Sequence, residues 1–149
     1  MTLEEEIKGR FRNEYHKGMI NLSYTTRKLG YEFNQALKKH DISEQQYNVL
    51  RILRGFQSEA PLSIGFIKER MLDKDSDVSR IVDRLFLQKM ITRCENSTDR
   101  RQKSVEITEK GLDLLGSMLV CEKKIDTLLG NLTEEEVKQI NYLLDKIRG

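Results

Sequence analysis

Proline is almost missing from this chain, with one residue in 149 (Pro61), and there are only nine glycines. So few breakers argue for a mostly helical protein, since proline ends helices and glycine weakens them. Cysteine is scarce too. Cys94 and Cys121 alone exclude a disulfide scaffold and fit a reducing cytosol. Long apolar runs are lacking, and none exceeds three or four residues, so no segment is expected to span a bilayer. The opening Met1-Thr2-Leu3-Glu4-Glu5-Glu6 is acidic and has no apolar stretch, so it does not read as a secretory signal. Fingerprints of common enzymes are absent: no HExxH, no Walker A loop, no Gly-x-Gly-x-x-Gly and no Gly-x-Ser-x-Gly. These absences point away from a membrane protein, a disulfide-rich secreted domain and an enzyme.

What remains is 38% hydrophobic and 34% charged, with a mean hydropathy of −0.60. That balance suits one globular domain with a real core. Net charge is only +2, but it is unevenly spread. Residues 62–103 hold ten Lys/Arg against seven Asp/Glu, whereas residues 104–149 hold six against nine. A basic middle and an acidic end suit a nucleic-acid face on the central segment.

Three helix starts are written as capping boxes: Thr2-x-x-Glu5, Ser43-x-x-Gln46 and Thr133-x-x-Glu136. Ile42 with Tyr47, and Leu132 with Val137, add hydrophobic staples to the last two. Residues 3–39 carry helical spacing (Leu3, Ile7, Phe11, Leu22, Leu29, Phe33, Leu37) and predict one long helix or two in succession, with Gly18 or Gly30 as points of bending. A helix over 44–55 follows, then the break Ser58-Glu59-Ala60-Pro61. Ser63 caps a short helix to about Leu72, and a further helix over 75–89 buries Val78, Ile81, Val82 and Leu85. The period then shifts to two: Ile91–Glu95 and Lys103–Ile107 predict a β-hairpin whose tip, Asn96 to Gln102, is wholly polar. Thr108 restarts helix with the stripe Leu112, Leu115, Leu119, Ile125 and Leu129. A final helix carries Val137, Ile140, Leu144 and Ile147.

Three helices followed by a hairpin over 44–107 make a winged helix-turn-helix, in which one helix fits a major groove and the hairpin reaches the flanking backbone or minor groove. The outward face of the 75–89 helix offers Ser76, Asp77, Ser79, Arg80, Asp83 and Arg84, and the hairpin tip offers Arg100, Arg101 and Lys103. A plain solvated helix face and a polar turn are the competing readings of these charges. A winged helix that binds only proteins is the alternative function; it would present an apolar recognition face, and this one is polar.

The segment Leu62 to Arg93, with its core Val78-Ser79-Arg80-Ile81-Val82-Asp83-Arg84-Leu85, resembles the helix-turn-helix of the MarR-type multiple-antibiotic-resistance regulators. The wing signature of that family is matched by Asp99-Arg100-Arg101 and by Ile107-Thr108-Glu109-Lys110-Gly111, and the resemblance extends over essentially the whole chain. It implies a mostly α fold: a winged helix-turn-helix lobe (41–108) with a small β-hairpin wing, flanked by N-terminal (1–40) and C-terminal (109–149) dimerisation helices. It further implies a cytoplasmic homodimer that binds pseudo-palindromic double-stranded DNA as a transcriptional regulator, without a cofactor. Ser76, Asp77, Ser79, Arg80 and Arg84 would face the major groove, Arg101 would enter the minor groove, and Asp99 would brace it, with Arg100 and Lys103 beside them. Three positions depart from the pattern: Lys68 replaces a small residue, Leu72 a turn glycine and Met90 a helix-ending glycine. A left-handed Met90 would be strained, so the helix there is expected to end differently. Asp73, Asp75 and Asp77 favour the helix dipole but repel phosphate.

Aromatic residues at helical spacing are ordinarily core. The resemblance also implies a pocket for a small aromatic effector, which Tyr24, Tyr31, Phe33 and Tyr47 could line. Cys94, Cys121, His16 and His40 have no metal-ligand spacing and read as structural. The peroxide-sensing branch of the family uses a cysteine in the N-terminal helix, where this chain has none.

Overall fold

The computed structural model describes residues 1–95 and 103–149, and these separate into two compact units, Met1–Gln35 and Ala36–Gly149. The helices are α1 (Leu3–Ile7), α2 (Glu14–Lys38), α3 (Glu44–Gly55), α4 (Ile64–Arg70), α5 (Val78–Leu87), α6 (Glu109–Ser117), α7 (Leu119–Asp126) and α8 (Glu134–Arg148). Strands β1 (Leu62–Ser63), β2 (Ile91–Glu95) and β3 (Lys103–Ile107) form an antiparallel sheet in the order β1-β3-β2. Ile91 pairs with Ile107 and Glu95 with Lys103, so the hairpin expected from the alternation is present, with a short third strand that two residues of sequence could not announce.

The N-terminal stretch is two helices. Lys8 adopts a left-handed conformation (φ 51°) that ends α1, and α2 then runs unbroken through Gly18 and Gly30. In this unit Glu4 pairs with Lys17 at 2.6 Å, while Glu6 accepts from Lys28 Nζ at 3.0 Å and from the Tyr24 hydroxyl at 2.8 Å. His16 is occupied locally: its backbone N–H donates to Asn13 Oδ1, and its Nδ1 accepts from the Arg12 N–H.

In the second unit the chain leaves α2 through a Schellman turn. Asp41 is left-handed (φ 52°), its N–H donates to Lys38 O, and Ile42 N–H donates to Leu37 O, with Leu37 and Ile42 both buried. The expected capping box then opens α3. Ser43 Oγ accepts from Gln46 N–H at 3.1 Å, and Gln46 Oε1 accepts from Ser43 N–H at 3.0 Å. Val49, Leu50, Leu53, Ile67, Leu85, Ile91, Val105 and Leu115 form the fully buried centre. Buried Asn48 contributes a polar contact, accepting from Leu72 N–H at 3.0 Å and so pinning the turn between α4 and α5. Leu72 is exposed and is not among the positive-φ residues, so this turn needs no glycine.

The helix expected after Thr108 is broken. α6 ends at Ser117 and α7 begins at Leu119, leaving Leu119 half exposed and Val120 largely exposed. α8 buries no residue within its own chain.

Gly111 in α6 sits where a Cβ would lie 2.5 Å from Met90 O and 2.7 Å from Ile107 Cγ1, so only a glycine fits without a shift of backbone. Gly116, in the same helix, faces open space. Gly111→Ala should therefore lower stability by about 1–3 kcal/mol through overpacking, while Gly116→Ala should raise it by up to about 1 kcal/mol through helix propensity. Thermal melts of the two variants should move in opposite directions.

Candidate nucleic-acid interface

The α5 helix is built as a two-sided element. Val78, Ile81, Val82 and Leu85 are all less than 10% exposed on its rear, each contributing roughly 1.5–3 kcal/mol of apolar burial. Asp77 caps its start, Oδ1 accepting from Arg80 N–H at 3.2 Å. At its end Lys89 N–H donates to Phe86 O and Met90 N–H donates to Leu85 O, both at 3.0 Å, which is a Schellman motif. The left-handed residue is Lys89 (φ 60°) and not Met90, so the helix ends differently from the family pattern, as the strain of a left-handed Met90 led us to expect. A lysine in the left-handed region carries some backbone cost, and the following hydrogen bonds offset it.

Those hydrogen bonds come from α6. Thr108 N–H donates to Met90 O at 3.0 Å, its hydroxyl donates to Lys89 O at 2.7 Å, and Lys110 Nζ donates to Gln88 O at 2.9 Å. The same Thr108 hydroxyl accepts from Gly111 N–H at 3.2 Å, closing the helix cap. Three successive carbonyls that the end of α5 would leave unpaired are thus all satisfied, and the Ile107-Thr108-x-x-Gly111 sequence has a physical purpose: it fixes the far end of α5.

Of the residues expected on the outward face, Ser79, Arg80, Asp83 and Arg84 are exposed along one side of α5. Neither Arg80 nor Arg84 has a side-chain hydrogen bond or ion pair among the described residues. Asp77 is exposed but serves as the cap. Ser76 corrects the sequence reading: it precedes the helix, is 4% exposed, and its hydroxyl accepts from Gln45 Nε2 at 3.4 Å, so it does not lie on the outward face. Lys103 is exposed at the start of β3. Asp99, Arg100 and Arg101 lie outside the described residues. Sequence reading missed Arg93 on β2, whose guanidinium donates to Asp83 and lies 4.4 Å from the Phe86 ring centroid. A ten-residue separation across a change of secondary structure gives no periodic signal.

The aromatic candidates fall in different units. In the first, Tyr24 donates to Glu6 and Tyr31 is exposed, with Phe33 half-buried between polar neighbours in sequence. In the second, buried Tyr47 donates to Glu122 Oε1 at 2.8 Å, and Arg54 Nη2 donates to the same oxygen at 3.1 Å. Burial, helped by the Glu122 carboxylate, pushes the Tyr47 phenol up to about 12. Cys121 Sγ lies 4.0 Å from His40 Nε2, a pairing across 81 residues that spacing could not reveal, and burial pushes the Cys94 thiol up. Among the described residues no group of three or more His, Cys, Asp or Glu could hold a metal, and no helix is long and apolar enough to cross a membrane.

A polar, cationic recognition helix on an apolar base, followed by a hairpin, defines a winged helix-turn-helix DNA-binding protein. Comparison agrees. A sequence profile of the MarR family matches residues 40–102. The transcriptional repressor NicR of Pseudomonas putida is 30% identical over 136 residues, spanning 82% of this chain and 83% of its own. The regulator MhqR of Bacillus subtilis is 29% identical over 132 residues, spanning 88% and 89%. The crystal structure of a mutant MarR from Escherichia coli complexed with operator DNA superposes with a TM-score of 0.76 at 25% identity, covering 93% of this chain and 99% of that one. The chain belongs to the MarR family and is a DNA-binding transcriptional regulator.

Two outcomes follow from this geometry. A phenol pKa raised on folding means the folded state holds its proton where the unfolded chain releases it, so the contribution is complete below about pH 10 and is lost as pH rises from about 10 toward 12. Urea denaturation across that range should show a decline that Tyr47→Phe reduces. Second, Arg80→Ala or Arg84→Ala should each cost roughly 1–3 kcal/mol of discrimination for every base the arginine reads, without lowering the melting temperature. Mobility shifts against competitor duplexes measure that discrimination.

Proposed function

We propose that this chain acts in the cytoplasm as a homodimer on a pseudo-palindromic operator and does no catalysis. Within each half-site Ser79, Arg80 and Arg84 read the major groove, with Asp77 acting through its cap on α5. Lys103 and the residues of the hairpin tip, Arg101 foremost with Arg100 beside it and Asp99 as its brace, contact the neighbouring backbone and minor groove. The observation that carries this reading is the face of α5: two arginines without partners among the described residues, on a helix whose rear and both ends are fixed. An apolar recognition face, as a protein-binding winged helix would need, is not what Ser79, Arg80, Asp83 and Arg84 provide. Relatives point the same way, since the MepR structure from Staphylococcus aureus is a DNA complex, with a TM-score of 0.75 at 25% identity.

The homodimer rests on apolar surface that the chain leaves uncovered. Leu119 (48% exposed), Val120 (78%), Tyr142 (64%), Leu143 (47%) and Ile147 (67%) lie on α7 and α8. Single exposed apolar residues are ordinary, but a run of them over two helices near the C-terminus marks an interface. On this reading that surface belongs to the C-terminal dimerisation helices (109–149), which follow the DNA-binding lobe (41–108) and the N-terminal dimerisation helices (1–40) in sequence. A small aromatic effector is the ligand class that the family resemblance suggests; of the four aromatic candidates Tyr31 offers open ring surface, whereas Tyr47 is buried within its own unit.

Sedimentation should give a dimer at micromolar concentration, and a stable monomer would contradict the assembly. Purified protein should shift duplexes carrying an inverted repeat from the DNA beside its own gene in preference to scrambled duplexes.

A further inference from the structure

A carboxylate on a DNA-reading face is a liability, and α5 carries one. Asp83 follows Ser79 and Arg80 by four and three residues, so its side chain shares their exposed side of the helix, with 57% of it open to solvent. Left alone it would oppose the phosphates that Arg80 and Arg84 attract. It is not left alone. Arg93 of β2 donates from Nη2 to Asp83 Oδ1, and its guanidinium carbon lies 4.4 Å from the centre of the Phe86 ring, which is itself 40% exposed. Asp83 and Phe86 are one turn apart on α5, so a single planar group spans both, charge against charge at its edge and face against ring. The planar guanidinium of arginine suits both contacts at once, which the compact ammonium of lysine does not.

From this geometry we infer that Arg93 is a positioning residue for DNA recognition: it neutralises Asp83 and holds the root of the wing on the recognition helix, without itself contacting DNA. The inference rests on α5 being the DNA reader. β2 joins α5 through only Gln88 to Met90 and its backbone pairs with β3, so a grip on Arg93 fixes the angle at which the hairpin leaves the helix. Exposed ion pairs add little to folding stability, so the pair's value lies in the charge and direction it gives the reading face.

The test is a two-residue cycle read by fluorescence anisotropy on an operator duplex. Arg93→Ala should weaken binding about five- to tenfold, because an unpaired carboxylate then faces the phosphates. Asp83→Asn in that background should recover about two- to threefold of the lost affinity, because it removes the unpaired charge but not the lost grip on the wing, and Asp83→Asn alone, whose amide oxygen still accepts from Arg93, should stay within about twofold of wild type. Arg93→Lys, which keeps the charge but not the planar stack, should fall between wild type and Arg93→Ala. Circular dichroism melts of all four should coincide with wild type. A double variant as weak as Arg93→Ala, with a salt dependence shallower by about one charge per subunit, would overturn the inference and make Arg93 a phosphate ligand. Asp83→Asn binding more than about fivefold more weakly than wild type would overturn it too, making Asp83 a base reader. Failure of the wild-type chain to bind any duplex would instead overturn the DNA reading of α5.

Discussion

The carbonyl end of α5 is the point on which the lobe depends. A helix that must present one face to DNA cannot be wrapped by protein, so its orientation has to come from its rear and its ends. The rear supplies apolar burial, which is strong but non-directional. Direction comes from the ends: Asp77 at the start, and at the finish the Schellman turn whose neighbouring carbonyls from Gln88, Lys89 and Met90 are taken up by Lys110, the Thr108 hydroxyl and the Thr108 amide. The same few residues start α6 and close the hairpin. Recognition helix, the β3 end of the hairpin and α6 are therefore set against each other by one hydrogen-bonded joint, and Gly111 keeps room for it.

Electrostatics within the lobe separate engaged carboxylates from open arginines. Three of the acidic groups near the recognition surface are engaged by structure: Asp77 by the cap, Asp83 by Arg93, and Asp73 by accepting from the Asp75 N–H. Arg80 and Arg84 keep no such partners among the described residues. A net charge of +2 would by itself promise little affinity for DNA; what matters is which charges are already spoken for.

Much of this was legible in the sequence because local signals dominate it. Capping boxes at Ser43 and Thr133, the i, i+3, i+4, i+7 set of α5 and the alternation of β2 and β3 each state their own structure within a few residues. What sequence reading missed was not local. Ser76 looks like a groove-reading hydroxyl until Gln45 of α3 is found over it, the Cys121–His40 pairing joins residues far apart, and Arg93 meets α5 only because the sheet folds back. Helix ends were the other weak point. Which residue turns left-handed is decided by the pairing of Leu85 and Phe86 carbonyls, and that placed the strain at Lys89 and spared Met90. The break at Met118 divides a stripe that periodicity alone would run straight through.

The central claim, that the exposed face of α5 and the wing engage the charged backbone and bases of duplex DNA, is tested most directly by the salt dependence of binding. Affinity for an inverted-repeat duplex, measured by anisotropy over a series of ionic strengths, should fall linearly in log–log form, with a slope near −0.9 for each phosphate neutralised and a total of several per dimer. The slope should be similar for a scrambled duplex bound more weakly. Binding that is insensitive to salt, or absent at low salt, would contradict the account.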